Sequence, residues 1–344
     1  MSTATTDVPD LLEQSFPRSA PIEQQVRHLL RYAILAPSTR NTQPWRFAVQ
    51  TNTLGIFADL ERRQPVSDPE RRELYISVGC ALENLLVAAE HHGFGHEVTY
   101  FPQYGNDEFV AHIAFAPGGT PSPARAGITL ETMLRRHNDN SVYRPVPVPE
   151  EARRRLEACR EEAELRLDLT DDHVFRRWVD ELTLEADRFE FGNPSFRREL
   201  GYWIGQGVFG TRKLLSRLGR LAITRFDLGE PVARQDEAMV NSAALLGLIS
   251  AASDTHLTHV QTGQLFERLW LTATDIGISI HPMSPAMRVP ALRTALGELL
   301  PTSGWIPQHL FRVGYSAKPG IPRHRTPRRA LRDVMLDWSE EIPG

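Results

Sequence analysis

One helical pattern occurs twice in this chain, 184 residues apart. Gly79 and Gly93 bracket the first copy, and Gly263 and Gly277 bracket the second with the same spacing of 14. Three acidic, apolar or small positions also coincide at this shift: Glu83 with Glu267, Leu85 with Leu269, and Ala89 with Ala273. The repeat predicts a duplicated unit, in which one chain does the work of a two-fold dimer.

The bulk properties indicate a packed, water-soluble protein. A chain of 344 residues is long for one simple core, and 41% hydrophobic and 24% charged residues are near globular averages. A net charge of −4 gives no footprint for nucleic-acid binding. The N-terminus lacks the features of a signal peptide, and no apolar run is long enough to span a membrane. Cys80 and Cys159 have no metal or redox spacing. We therefore expect a cytoplasmic protein with reduced thiols that binds neither nucleic acid nor membrane.

Shifts in composition divide the chain into an arm and two halves. Residues 1–20 are polar and punctuated by proline, and they predict a flexible arm. A Pro/Gly/Ser segment at 117–128 predicts a boundary between a first half, 21–128, and a second half, 129–344. Hydrophobic periodicity in the first half predicts helices over 22–35 and 77–92 and strands over 46–50, 54–58, 97–101 and 109–115.

Residues 195–242 of the second half match nothing in the first half. An insertion of this size is more often functional than decorative, and we interpret it as a lid. Tyr202, Trp203 and Phe209 are large enough to lie over a bound ring, although ordinary core packing explains them as well.

The segment Ala36–Trp45 is dense in short hydrogen-bonding side chains, and Pro37 and Pro44 make it a rigid turn. Asn41 and Gln43 can each donate and accept, as the edge of a heteroaromatic ring requires. From the residue types alone, the simpler interpretation is favoured, in which Ser38 and Asn41 only satisfy the backbone of the turn.

This segment resembles the APSxxNxQPW signature of the nitroreductase superfamily, whose members bind FMN at a dimer interface. The stretches 59–73 and 76–82 resemble the Acg-like branch, which fuses two nitroreductase units in one chain. The resemblance covers roughly residues 22–335, outside most of the insertion. It implies a nitroreductase-like α+β fold, a pseudo-dimeric tandem duplication with a lid insertion, in which each half is a mainly antiparallel sheet packed by helices. One FMN would lie at the seam.

The resemblance also distributes the cofactor contacts over both halves. The first half would supply the turn beside the ring and ribityl chain through Ser38, Thr39, Arg40, Asn41 and Gln43. The second half would supply a phosphate site through Arg135, Arg136 and Asn138 in its opening turn and Arg323 and Arg325 near its end. Guanidinium groups suit a phosphate, although for any single arginine a solvated basic face is an equally good explanation.

Two further features of the second half bear on the cofactor. The superfamily usually has more cations where this chain has His137, Asn140 and Ser141, which weakens phosphate binding. The turn at Pro282, Met283 and Ser284 is where the family directs a backbone N–H at flavin N5, although a plain helix-to-strand turn explains it equally well.

The implied function is FMN-dependent reduction of a small nitro, quinone or enone substrate, or of a specific metabolite, with NADH or NADPH as donor. No catalytic side chain is assigned, because hydride transfer belongs to the cofactor. Two alternatives stay open, a lidded FMN-sequestering protein with little turnover and a flavin-dependent tailoring oxidase or dehydrogenase. The chain would be a monomeric pseudo-dimer or a weak homodimer.

Two weaker motifs are set aside. The GxGxxG match at 205–210 has no βαβ unit around it, so a dinucleotide-binding fold is disfavoured. His256 and His259 have no nearby third ligand, so no metal site is expected.

Overall fold

The computed structural model describes residues 15–208, 219–221, 223–224, 229–300, 304–318, 320 and 326–341. The first half contains, in chain order, α1 (Ile22–Ala33), β1 (Trp45–Gln50), β2 (Thr53–Ala58), α2 (Arg72–His91), β3 (Phe94–Tyr100) and β4 (Phe109–Pro117). The elements predicted for this half are therefore confirmed, with ends that differ by a few residues. The largest difference is at α2, which begins at Arg72 because the Asp68 carboxylate accepts hydrogen bonds from the backbone N–H groups of Glu73 and Leu74.

The second half is larger and contains the insertion. Its first elements are α3 (Leu130–Arg135), β5 (Tyr143–Arg144), α4 (Glu150–Glu157), β6 (Leu165–Thr170), α5 (His173–Gly192), α6 (Pro194–Gly205) and α7 (Gly229–Asn241). The later elements are β7 (Leu245–Ala251), α8 (His256–Asp275), β8 (Ser279–Pro282), α9 (Pro285–Arg288), α10 (Pro290–Glu298), β9 (Ile306–Ser316) and α11 (Trp338–Glu341).

The sheets of the two halves share one strand order. The first sheet is antiparallel in the order β1-β2-β4-β3, and the second runs β6-β7-β9-β8, with β5 also pairing with β9. In each sheet the strand in the second place is followed in the chain by the long helix, α2 or α8. The same topology on both sides is what a duplicated unit produces, so the predicted α+β fold of two pseudo-symmetric halves is confirmed.

The two long helices cross where the repeated glycines lie. Both helices have 20 residues. A Cβ atom on Gly79 would lie 2.0 Å from the Val260 carbonyl oxygen, and one on Gly263 would lie 1.9 Å from the Ile76 carbonyl oxygen. Only glycine allows the two backbones to approach this closely. The repeated glycines are therefore explained by the contact between the halves. Apolar residues of both halves form one continuous core around this crossing.

Both termini of the described chain pack against the first half. Phe16, in the predicted arm, stacks on the His92 ring with 3.8 Å between ring centroids, whereas residues 1–14 lie outside the described part. Near the other end, Phe47 of β1 donates to the Val334 carbonyl and accepts from Leu336 N–H, both at 2.8 Å. The tail that the sequence assigned to the second half therefore lies along the edge of the first sheet.

Candidate functional site

A cavity of about 490 Å³ lies between the two halves. Ten of the residues named from the sequence line it: Ser38, Thr39, Arg40, Asn41, Arg135, Arg136, Asn138, Pro282, Met283 and Ser284. The structure thus brings the signature turn of the first half together with two turns of the second half. Arg323 and Arg325 lie outside the described residues.

The signature turn has a strained backbone. Arg40, Asn41 and Gln43 have φ angles of 50°, 54° and 51°, in the left-handed region that residues other than glycine rarely adopt. Contacts with distant segments hold it there: Asn41 Nδ2 donates to the carbonyl oxygens of Val208, at 2.7 Å, and Pro327, at 2.9 Å. The turn presents a fixed surface to the cavity because its own side chains are engaged elsewhere.

Gln43 does not reach the cavity. Its Oε1 accepts a hydrogen bond from the Arg329 backbone N–H at 2.8 Å, and the Arg329 guanidinium binds the Gln43 carbonyl and Asp59. This glutamine, expected beside the ring, instead fastens the tail to the first half.

Arg40 joins the turn to the insertion. Its Nη1 lies 3.1 Å from Glu199 Oε1 on α6 and donates to Gln64 and Ser67 of the first half. Its guanidinium also lies over the Phe196 ring, 4.8 Å from the centroid. Burial, together with the nearby Arg288, lowers the pKa of Arg40 to about 10, so the group stays charged at neutral pH.

The two arginines of the opening turn have different surroundings. Arg136 donates to the Leu35 carbonyl at 3.0 Å, lies 3.2 Å from a Glu267 carboxylate oxygen and packs over the Trp270 ring. Arg135 also lines the cavity, and its buried Nε, like that of Arg136, has no hydrogen-bond partner within the described chain. Arg135 is therefore the better placed of the two for an anion, and Arg136 serves mainly to join the halves.

The second and third turns are linked to each other. His281 Nδ1 lies 2.7 Å from Asn138 Oδ1, and burial, reinforced by Arg312, lowers the pKa of His281 to about 3. The neutral imidazole therefore donates from Nδ1. The Met283 backbone N–H donates to the Leu310 carbonyl at 2.8 Å. The Met283 N–H was expected to donate to flavin N5, but it is engaged by this bond. The Ser284 N–H therefore remains the candidate donor to N5.

Polar residues that the sequence did not single out complete the lining. Glu73 of α2 and His309 of β9 are both buried, and Glu73 Oε1 and both ring nitrogens of His309 have no partner in the part of the chain described. Burial lowers the pKa of His309 to about 4, so this ring is neutral. Three further charged residues line the cavity: Arg288, Asp236 of the insertion and Arg328 of the tail. Arg288 also forms a bidentate ion pair with Glu190. These residues come from separate elements and have no shared local motif.

The aromatic residues of the insertion do not cap the cavity where they are described. Trp203 is buried with the Arg62 guanidinium 5.3 Å from its ring, and Tyr202 is half exposed. Neither lines the cavity, and Phe209 lies outside the described residues. The explanation by packing therefore holds for Trp203.

The described helices include none that combines the length and apolarity needed to cross a bilayer. Over the same residues, no three histidine, cysteine or acidic side chains come together as a set of metal ligands. His259 instead pairs with Asp254 at 2.7 Å, and His256 stacks on Tyr75.

No family model matches the chain. Several curated proteins are similar to it over nearly their whole length. A Mycobacterium tuberculosis (strain ATCC 25618 / H37Rv) protein provisionally named NAD(P)H nitroreductase Rv3131 is 29% identical, over 94% of both chains. Acg, from the same strain and provisionally given the same activity, is 23% identical over 90% of this chain and 94% of its own. PigM of Serratia sp. (strain ATCC 39006), named a probable NAD(P)H nitroreductase, is 25% identical over 91% and 93%.

Among solved structures, the FMN and NADPH-dependent nitroreductase NfnB from sphigopyxis sp. strain HMH matches 60% of this chain and 97% of its own. The sequence identity is 16% and the TM-score is 0.41. The similarity of whole sequences to proteins named as nitroreductases, Acg among them, agrees with the signature turn and the two matching sheets. Together they confirm that the chain resembles the Acg-like branch of the nitroreductase superfamily.

Proposed function

We propose that this protein is an FMN-dependent oxidoreductase that uses NADH or NADPH to reduce a small organic substrate of the nitro, quinone or enone type. One observation carries the proposal: the cavity between the halves is lined at once by the turn at 38–41 and by the turns at 135–138 and 282–284. These are the segments to which the resemblance assigns FMN. The names of the relatives support a nicotinamide donor.

The residues present fit a flavin nucleotide. The cavity volume of about 490 Å³ is within the range of about 300–1,000 Å³ typical of cofactor sites. The buried Arg135 Nε, His309 ring nitrogens and Glu73 Oε1 lack partners within the described residues. Buried polar atoms of this kind are normally satisfied by protein, water or ligand. A molecule with both a phosphate and a polar heteroaromatic edge would satisfy all of them.

When bound, FMN supplies the hydride-transfer chemistry, and the protein supplies binding, orientation and exclusion of water. Arg135 would hold the phosphate, together with Arg323 and Arg325 at the end of the chain. The strained turn at 38–41 would fix one face of the ligand without changing shape on binding. The Ser284 N–H would donate toward the reacting edge of the ring, where negative charge develops during reduction.

One chain supplies both faces of this cavity, so we propose one FMN per chain and a monomer that imitates a dimer. Each half on its own has a long helix and a sheet, but the two kinds of turn come from different halves. Further association of two such chains is not needed to complete the site.

The sequestering alternative is supported by the contacts of α6 and of Val208, just after it, with the first half. Glu199 binds Arg40 and the backbone N–H groups of Val66 and Ser67, and the Val208 carbonyl accepts from Asn41. A segment fastened this way beside the cavity would hinder the exchange of NAD(P)H and substrate. The two functions differ in turnover rather than in what is bound.

The test begins with the flavin content of the purified chain, measured by acid extraction and chromatography. The proposal expects one FMN per chain, and two flavins per chain or FAD would contradict it. NADH or NADPH is then added without oxygen, and flavin absorbance is followed. Rapid bleaching followed by reoxidation with 1,4-benzoquinone supports an oxidoreductase, whereas a flavin that stays oxidised for hours supports sequestration.

A further inference from the structure

Glu73 of α2 and His309 of β9 are buried polar residues that line the cavity from different halves of the chain. Their exposed fractions are only 2% and 3%. The residues that precede them are bonded to each other, because Arg72 Nη2 donates to Gln308 Oε1 at 2.7 Å. Glu73 and His309 therefore reach the cavity where the start of α2 lies beside β9.

Both side chains have polar atoms with no hydrogen-bond partner among the described residues. Glu73 Oε2 accepts from Thr39 Oγ1 at 2.5 Å, but Glu73 Oε1 has no donor. The His309 ring packs on Phe266, with 4.1 Å between ring centroids, and neither of its nitrogens has a partner. A carboxylate oxygen only accepts hydrogen bonds, whereas a neutral imidazole has one N–H donor and one acceptor. A ligand that satisfies this place must therefore offer a donor to Glu73 and an acceptor to His309.

The arginines expected to hold a phosphate lie toward another part of the cavity. Arg136 packs over the Trp270 ring, whereas His309 packs on Phe266, one helical turn earlier on α8. Charge separates the two places further, because a phosphate is attracted to guanidinium groups and repelled by the Glu73 carboxylate. An elongated ligand with one anionic end therefore binds with that end at the arginines and its opposite end at Glu73 and His309.

The polar group that FMN carries furthest from its phosphate is the imide edge of its ring. This edge has one N–H, at N3, between two carbonyl groups. The N3–H is the donor that Glu73 Oε1 lacks, and a carbonyl oxygen is an acceptor for the His309 N–H. The dimethyl edge of the ring has no polar atom and would leave both residues unsatisfied, at a cost in free energy.

We propose that Glu73 and His309 recognise the imide edge of the flavin ring, with Glu73 Oε1 accepting from N3–H and His309 donating to the neighbouring carbonyl oxygen. The inference rests on the proposed function, which supplies FMN as the ligand. The resemblance to nitroreductases assigns neither residue to the cofactor.

The Glu73 carboxylate also regulates how readily the ring is reduced. Transfer of a hydride to the ring adds one negative charge, which spreads onto the imide edge. A buried carboxylate beside this edge opposes the added charge, because charges interact strongly where water is excluded. The reduced cofactor is therefore a stronger reductant with Glu73 than without it.

The first test compares FMN with 3-methyl-FMN, in which a methyl group replaces the hydrogen on N3. Fluorescence titration of the full chain, freed of flavin, measures both Kd values. We expect the wild type to bind 3-methyl-FMN roughly 10- to 100-fold more weakly than FMN, because Glu73 loses its donor. In Glu73→Ala, the affinity for FMN should fall, and the two ligands should differ by less than about three-fold.

His309→Phe separates the two contacts. Phenylalanine keeps the packing on Phe266 and removes the donor to the carbonyl oxygen, which both ligands possess. Both affinities should therefore fall by the same factor, and their ratio should stay as in the wild type. Glu70→Ala is the matched control, because Glu70 is exposed, pairs with Arg293 just before α2 and does not line the cavity. It should bind both ligands as the wild type does.

Nuclear magnetic resonance of FMN labelled with 15N at N3 tests the contact without any comparison of affinities. A bonded and buried N3–H exchanges slowly with water, so its signal should be visible at pH 7 and shifted downfield from that of free FMN. The signal should persist in Glu70→Ala and disappear in Glu73→Ala. Glu73→Gln keeps an acceptor without the charge, so it should retain a signal and shift the midpoint potential of the flavin to a more positive value.

Two results would overturn the assignment: equal Kd values of FMN and 3-methyl-FMN for the wild type, or an N3–H that exchanges as fast as in free FMN. Either result, with FMN still bound, would leave the proposed oxidoreductase function standing. A chain that binds no FMN would contradict the proposed function and the assignment together. An unchanged midpoint potential in Glu73→Gln would overturn the regulatory role of the charge.

Discussion

Arg40 and Glu199 form a buried ion pair across 159 residues of sequence, with 3.1 Å between Nη1 and Oε1. Both side chains are only 8% exposed. The pair ties the signature turn of the first half to α6 of the insertion, at the rim of the cavity. Movement of α6 away from the cavity must therefore separate two charges that are shielded from water.

Glu199→Gln should loosen α6 without unfolding the protein. Removing one partner of a buried ion pair leaves the other charge uncompensated and costs about 3–5 kcal/mol. We expect amide hydrogen exchange in residues 194–208 to become at least about 100-fold faster, and FMN to dissociate faster. Glu23→Gln, in the exposed pair with Arg27, is the control and should change neither rate. Unchanged exchange in α6 would show that the pair does not hold this helix.

Gly79→Ala should damage the contact between the halves. The new methyl group would lie 2.0 Å from the Val260 carbonyl oxygen, so two backbones must separate to admit it. We expect a loss of about 3 kcal/mol or more in the free energy of unfolding, measured with urea, and loss of FMN binding. Gly192→Ala is the control, because its Cβ would meet nothing within 4 Å. Equal stability of the two variants would contradict the close crossing.

Arg135→Ala should separate binding of FMN from binding of riboflavin. Loss of a charge-assisted contact with the phosphate costs about 1.5–3 kcal/mol, or roughly 10- to 100-fold in affinity. Riboflavin has no phosphate, so its affinity should change little in a fluorescence titration. Arg154→Ala, on the exposed side of α4, is the control. The same comparison for Arg323→Ala and Arg325→Ala tests the remainder of the expected phosphate site, and equal losses for both ligands would point to a role in folding.

The stability of the protein should depend on Glu83 in acid. Burial alone would raise the pKa of Glu83, but Arg125 and Arg268 bind its carboxylate and lower the pKa to about 2, from an ordinary value of 4.5. A lowered pKa means that the stabilisation is complete above pH 4.5 and disappears as the pH falls toward about 2. Wild type should exceed Glu83→Gln in unfolding free energy by about 3 kcal/mol or more at pH 7. This difference should shrink between pH 4.5 and about 2, as measured by urea titrations at each pH.

Glu157→Gln is the control for this pH series, because Glu157 pairs with Arg153 at the surface. It should follow the wild type at every pH. A difference between wild type and Glu83→Gln that stays constant from pH 7 to pH 2 would show that Glu83 stabilises the core by packing rather than by charge.

Local patterns were enough to predict the elements of the first half and the duplication. The glycines at 79 and 263 are informative because a close helix crossing excludes every other side chain, so the constraint is visible in the residue itself. The signature turn was visible for a similar reason, since its hydrogen-bonding residues and prolines are consecutive. Each of these features depends on short stretches of chain.

The remainder of the cavity depends on packing between distant stretches. Glu73, Asp236, Arg288 and His309 come from four elements, and nothing in their neighbourhoods distinguishes them from surface or core residues until the fold brings them together. Burial then changes their chemistry, because removal of water lowers the pKa of His309 and leaves polar atoms of Glu73 and His309 without a partner in the described chain.

Two residues show which contacts could not be predicted from the sequence. Gln43 belongs to the signature, yet its side chain accepts a hydrogen bond from the Arg329 backbone in the tail. Met283 belongs to the expected turn, yet its N–H donates to the Leu310 carbonyl. The sequence by itself determined the duplicated fold, through the spacing of its repeated glycines, and its resemblance to the nitroreductase signature indicated the segments that meet at the seam. Only the tertiary structure decided which polar atoms face the cavity, because each buried donor and acceptor bonds to whichever partner the packing brings within reach.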